Sequence, residues 1–206
     1  MARILVHVEG QTEEAFVNEV LADHLYGYGY TSVSARIMGN ARQRAGRGGI
    51  KPWSVVRDEI LRHLNSDRDC LATLMVDYYG LPSAGARAWP GRQAATNKRF
   101  EDKANSIETL LETEVALRGG GSHPMRFIPY IMMHEFEGLL FSDCQVFADA
   151  IGEPGLSQDF QKIRDDFDSP EEINDSPITA PSKRVVGLKS DYEKPLHGNF
   201  AILEMP

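Results

Sequence analysis

Glu9 and Glu13 stand four residues apart across the end of one hydrophobic run, Asp77 closes another, and Glu135 and Glu137 follow a third. Grouped carboxylates are oxygen-only donors. They suit Mg²⁺ or Mn²⁺, hard cations that keep several waters and bind phosphate oxygens beside carboxylates. A pair of such ions can clamp the attacking and leaving oxygens of a phosphodiester. Each acid also has an ordinary role to weigh: Glu13, with Glu14, suits the positive end of a helix dipole, and Asp77 suits a turn before Gly80. Their recurrence at the ends of successive strands is what favours a shared site.

Other chemistries find less support. HEFE at residues 134–137 lacks the second histidine of the zinc-protease HExxH pattern. There is no G-x-S-x-G, and Gly46, Gly48 and Gly49 make no phosphate loop because no GK[ST] follows. His7 alternates with Val6 and Val8, which reads as a core or sheet-face histidine. The tyrosines of DYYG could stack on bases, but aromatics at a strand end more often pack.

The elements that must position these acids follow from hydrophobic periodicity. Ile4 to Val8 reads as a buried strand ending at Glu9-Gly10, where Gly10 lets the backbone turn or approach a ligand. A helix then starts near Thr12, a candidate N-cap, with Phe16, Val17, Val20, Leu21 and Leu25 as its apolar face. TSVSARIM (residues 31–38) alternates like a strand, and the Arg- and Gly-rich residues 40–51 read as a surface loop. A helix restarts at Pro52 with Trp53, Val56, Ile60 and Leu64 on one face. CLATLMVDYYG (residues 70–80) is a continuous strand ending in Asp77, and residues 80–97 read as irregular and mobile.

Residues 105–117 form an amphipathic helix, MRFIPYIMM (residues 125–133) a strand demoted by Pro129, and HEFEGLLFSD a short helix. The resulting β-α-β-α-β-α-β-α order predicts an α/β fold with a mainly parallel sheet. Beyond Asp143 the chain turns acidic, with Ser169-Pro170-Glu171-Glu172 as a capping-box start. It ends on ILEMP, where no closing helix is expected and a further C-terminal element could be missing.

At 206 residues the chain reads as a single domain, with residues 1–143 as core and 144–206 as a helical acidic extension. No run of 18 apolar residues and no signal-peptide pattern is present, so a cytosolic protein is expected. Cys70 and Cys144, without a CxxC pair, read as buried thiols. The net charge of −8 disfavours a general nucleic-acid binder, but residues 36–103 hold 13 basic against 7 acidic residues, and the remainder 9 against 23. A basic middle suits an anionic partner, and equally the solvated faces of loops and helices.

VEGQTEEAFV, VDYYGLP, RFIPYIMMHEFEGLLFSD and PEEINDSPITAPSKR together resemble the DUF4276 family of bacterial proteins. That family is similar to the Toprim superfamily, shared with the nuclease domains of OLD-family proteins and with topoisomerases and primases. The resemblance implies a Toprim-like α/β fold, a parallel sheet flanked by helices with an irregular helical C-terminal part. It implies an E-G-x-x-E pair after the first strand, matched by Glu9 and Glu13, and a D-x-D after a later one. Asp77 matches the first Asp of D-x-D, but the second position is Tyr79. The missing oxygen ligand must come from elsewhere, with Glu135 or Glu137 the expected donors.

The expected function is metal-dependent cleavage of nucleic acid, DNA or RNA, in bacterial anti-phage defence. Glu9, Glu13 and Asp77 would be catalytic and, with Glu135 and Glu137, would hold Mg²⁺ or Mn²⁺. Lys183 would stabilise charge on a scissile phosphate. Arg42, Arg44, Arg47, Lys51 and Arg184 would track the phosphate backbone. Relatives of this kind imply an ABC-type or AAA ATPase partner, and homo-oligomers are compatible with the pattern. The rivals are a non-catalytic subunit with a degenerate metal site, and a phosphatase or phosphotransferase acting on a small ligand.

Overall fold

Alternation and β-branched content place the strands where expected. β1 (Arg3–Val8), β2 (Ser32–Ile37), β3 (Cys70–Asp77) and β4 (Phe127–Met132) form one all-parallel sheet in the order β2-β1-β3-β4. This is a computed structural model, and it describes residues 2–39, 48–119, 125–173, 176 and 178–205. Parallel strands cannot be joined by tight turns, so helices connect them and bury both faces. The α/β expectation holds.

The chain divides into two compact units, Met1–Val76 with Gly80–Ile131, and Asp77–Tyr79 with Met132–Pro206. In the first unit, α1 (Gln11–Ala15), a π-helical segment (Phe16–Leu21) and α2 (Ala22–Tyr26) run on as one helical stretch. Its N-cap is Gly10, without a side-chain capping bond, and Thr12 lies buried inside the first turn. Thr12 is therefore not the N-cap. α3 (Trp53–Ser66) buries Trp53, Val56, Ile60 and Leu64, the face its 3.6-residue period marks. Residues 80–97 carry more order than their Gly and Pro content indicates, with a 3₁₀ turn (Gly85–Arg87) and α4 (Arg92–Ala95). α5 (Phe100–Arg118) then buries Ile107, Leu111 and Val115.

Tertiary contacts fix the course of residues 80–97. Trp89 is buried against Trp53 with ring centroids 5.2 Å apart. Trp89 Nε1 donates to the Lys51 carbonyl at 3.0 Å, and Arg87 donates to that of Ile50 at 2.7 Å. Gly91, at φ 78°, is needed because a Cβ there would lie 3.1 Å from the Ser106 carbonyl oxygen.

In the second unit, α6 (Glu137–Leu140), α7 (Cys144–Ala150), α8 (Ser157–Asp165), α9 (Pro181–Leu188) and α10 (Asn199–Glu204) pack on one another. Phe141, Phe147 and Phe160 form the centre, with Phe147 and Phe160 stacked at 4.5 Å. Two expectations fail here. Ser169 caps no α-helix, only the 3₁₀ turn Pro170–Glu172, and the final residues do form a closing helix, α10. Cys70 and Cys144 are free and buried, as expected. Among the described residues, no helix is long and apolar enough to cross a membrane.

Candidate functional site

Asp77 is the last residue of β3 and is buried. Its Oδ1 accepts the Phe136 backbone N–H at 3.0 Å, which fixes the carboxylate against the turn that follows β4. His134 steadies the same turn: its Nδ1 must be protonated because it faces the Ile173 carbonyl at 3.0 Å. Glu137 opens α6 and is 1% exposed. The neighbouring Gly138 allows a close approach: a Cβ there would lie 3.2 Å from the Pro170 carbonyl oxygen.

The lysine that meets these acids comes from far along the chain. Lys194 begins a π-helical turn (Lys194–Gly198), and its ammonium lies 3.3 Å from Asp77 Oδ2 and 3.2 Å from Glu137 Oε2. It also sits 5.8 Å above the Phe136 ring. The contact with Glu137 is ionic rather than an aligned hydrogen bond, and Glu137 Oε1 makes no hydrogen bond within the protein. Burial pushes the Glu137 carboxyl upward, and Lys194 partly offsets this. Tyr192 is buried alongside, stacked on His197 at 5.5 Å, with no hydrogen bond to its hydroxyl within the protein. Burial and the charge of Glu137 push that phenol upward, so it stays protonated.

The predicted acids make different contacts. Asp77 and Glu137 share one cation. Glu135 stands near enough for its charge to act on Glu137 and Tyr192, and its Oε2 also accepts the Ser182 N–H at 3.0 Å in the first turn of α9. Glu9 and Glu13 belong to the first unit. Glu9 follows β1 half-buried, with its carbonyl accepting the Gly49 N–H at 2.9 Å, and Glu13 is 3% exposed in α1. A Cβ on Gly10 would lie 3.0 Å from Glu13 Oε2, so the close approach that Gly10 allows is by this carboxylate.

Among the basic residues, Lys183 is exposed on α9. Arg184 is engaged locally, donating to the Thr179 carbonyl at 2.8 Å and covering the Phe167 ring at 5.2 Å. Lys51 is half-buried, and Arg42, Arg44 and Arg47 lie outside the described residues. Tyr79, two residues after Asp77, is half-buried and donates its N–H to the His134 carbonyl at 3.1 Å.

Lys194 and Tyr192 escaped sequence reasoning. The available signal was slight: DYEKPLHG holds the last lysine of the chain in an acidic run, just before a proline.

Among the described residues, no group of three or more His, Cys, Asp or Glu side chains is arranged to hold a metal ion. What the second unit offers is a buried carboxylate pair around one cation position. The chain belongs to the family described as "Domain of unknown function (DUF4276)", matched over residues 8–206. No curated protein and no solved structure matches it.

Proposed function

We propose that this protein is a divalent-metal-dependent phosphodiesterase acting on nucleic acid, of Toprim-like descent, working with an ATPase partner in bacterial anti-phage defence. The observation that carries this reading is the Asp77–Glu137 pair, two nearly buried carboxylates already gathered around a single positive charge. Burying two acids together is costly unless a cation is part of the arrangement. Two carboxylates, with water and phosphate oxygens completing the shell, are what Mg²⁺ ordinarily takes from a protein. Glu137 Oε1, without a hydrogen bond in the protein, is a further donor in the same place.

In this reading Asp77 and Glu137 hold Mg²⁺ or Mn²⁺, and Glu137 supplies the oxygen that Tyr79 cannot. Bound there, the metal supplies Lewis-acid stabilisation of charge on a phosphate. Phe136 N–H orients Asp77, and the protonated Tyr192 hydroxyl is a donor for a phosphate oxygen or water. Glu9 and Glu13 keep their proposed roles as metal ligands, and Lys183 its role at the phosphate. Glu135, whose charge acts on Glu137 while its Oε2 holds the Ser182 N–H, keeps its proposed role as a further oxygen donor.

The test is incubation of the full chain with Mn²⁺ or Mg²⁺ and plasmid, single-stranded DNA or tRNA, with and without a candidate ABC-type ATPase. Cleavage is expected, stronger with the ATPase. Asp77→Asn and Glu137→Gln should each reduce it by about 100-fold or more, since even outer-shell partners of a metal are worth about 10–100-fold. Cleavage that survives both substitutions would move the chemistry elsewhere. Metal-independent nucleic-acid binding without cleavage would favour a non-catalytic subunit.

A further inference from the structure

We infer that Lys194 is an exchangeable counter-ion: its ammonium and a divalent cation occupy the place between Asp77 and Glu137 in turn, making Lys194 a built-in competitor that leaves when metal binds. This rests on the metal reading above and adds a regulatory element to the same site.

The geometry leaves little room for both cations. Nζ lies within 3.3 Å of an oxygen from each carboxylate. A metal bound to the same oxygens sits about 2.0–2.1 Å from each if it is Mg²⁺, so the two cations would lie within a few ångströms of one another. At that distance, in a buried setting where charges are poorly screened, repulsion between them is strong. The carboxylates cannot satisfy both, because the dication takes the larger share of their charge.

Lys194 has a way out. Its side chain is 36% exposed, whereas those of Asp77 and Glu137 are 11% and 1% exposed. The ammonium can therefore move to water while the acids stay. Its backbone is steadier: Pro195 restricts φ on one side, and the buried Tyr192 anchors the other. The exchange accordingly needs little more than side-chain rotation. In the metal-free state Lys194 keeps two buried acids from repelling each other, so the site stays assembled. The consequence is a weaker apparent metal affinity, because each metal that enters must displace the lysine.

The test uses the full-length protein in two measurements. First, Mn²⁺ is titrated into wild type and Lys194→Met by calorimetry. The variant should bind at least about 10-fold more tightly, since the competing charge is gone; equal or weaker binding by a folded variant would overturn the inference. Second, lysine acetylation of wild type is followed by peptide mass spectrometry, with chelator and with saturating Mn²⁺. Lys194 should react several-fold faster with Mn²⁺, while exposed Lys183 should not change. Unchanged Lys194 reactivity at metal saturation would overturn the exchange but leave the metal site standing. Failure of both proteins to bind Mn²⁺ would remove the metal reading and the exchange together.

Discussion

Arg36 sets the direction of a hydrogen-bond chain in the first unit. A guanidinium can only donate, so at 3.3 Å from His63 Nε2 it makes that nitrogen an acceptor. His63 then carries its proton on Nδ1 and donates to His7 Nε2 at 3.1 Å, which leaves His7 protonated on Nδ1. His7 is fully buried and pairs in register with Arg36 of the neighbouring strand, the sheet-face place that its alternation with Val6 and Val8 implied. Burial, then His63 and Arg36, lower its pKa to about 3, and burial lowers that of His63 as well. Unfolded histidine takes up a proton near pH 6.5, whereas the folded chain resists it. The stabilisation is therefore complete above pH 6.5 and is lost progressively as pH falls toward 3. Urea unfolding should show stability falling between pH 6.5 and 5 by up to about 1.4 kcal/mol per pH unit from His7. His7→Gln should flatten that slope; an unchanged slope would place the protons elsewhere. The role of His7 was legible because strand alternation is local. Lys194 was not, because it meets Asp77 from 117 residues away and no local pattern records that distance.

Helices and strands with a clean period were legible for the same local reason. The four strands and the helices α3 and α5 needed only an apolar run, an alternation or a 3.6-residue repeat. β4 lies at an edge of the sheet, where a strand tolerates Pro129, and Glu108 covers part of that edge by accepting the Ile131 N–H at 2.8 Å. Where tertiary contacts decide, local signals misled. Residues 80–97 read as irregular, yet two tryptophans and two bonds to backbone carbonyls give them a fixed course. Ser169 looked like a helix start but begins a single 3₁₀ turn. The second unit is a set of short helices whose order comes from shared aromatics rather than from propensity. Phe160 shows this most directly, being fully buried between Phe147 and Phe141. Phe160→Ala should destabilise the protein by about 3–5 kcal/mol, the usual effect of emptying a buried phenylalanine site. Chemical denaturation monitored by near-ultraviolet dichroism would measure it, and a change below about 1 kcal/mol would mean that the aromatic centre is not what orders these helices.

Charge is distributed unevenly over the whole molecule, and the imbalance follows the two compact units. The first holds 16 basic and 14 acidic residues, and the second holds 6 and 16, giving net charges of +2 and −10. The sequence showed the basic middle but not the division, because the three residues Asp77–Tyr79 join the C-terminal unit in space. If a nucleic acid binds, the first unit holds the larger supply of basic residues for its phosphate backbone. Basic residues that contact phosphates release counterions, so affinity should fall linearly with salt on a double-logarithmic plot. Arg42, Arg44 and Arg47 stand in a stretch of sequence free of acids, just before Gly48 and Gly49. The N–H groups of these two glycines bond the Met38 and Glu9 carbonyls at 3.0 and 2.9 Å, so the chain that follows the arginines is tied beside one of the proposed metal ligands. Replacing the three arginines by alanine should weaken binding to single- and double-stranded oligonucleotides alike. It should also reduce the salt slope by about one for each phosphate that is no longer neutralised, or about three in all. Fluorescence anisotropy across a salt series would measure both effects. A triple variant with the wild-type slope would mean that these arginines only solvate a surface, and the anionic partner would then have to be met by the remaining basic residues of the first unit.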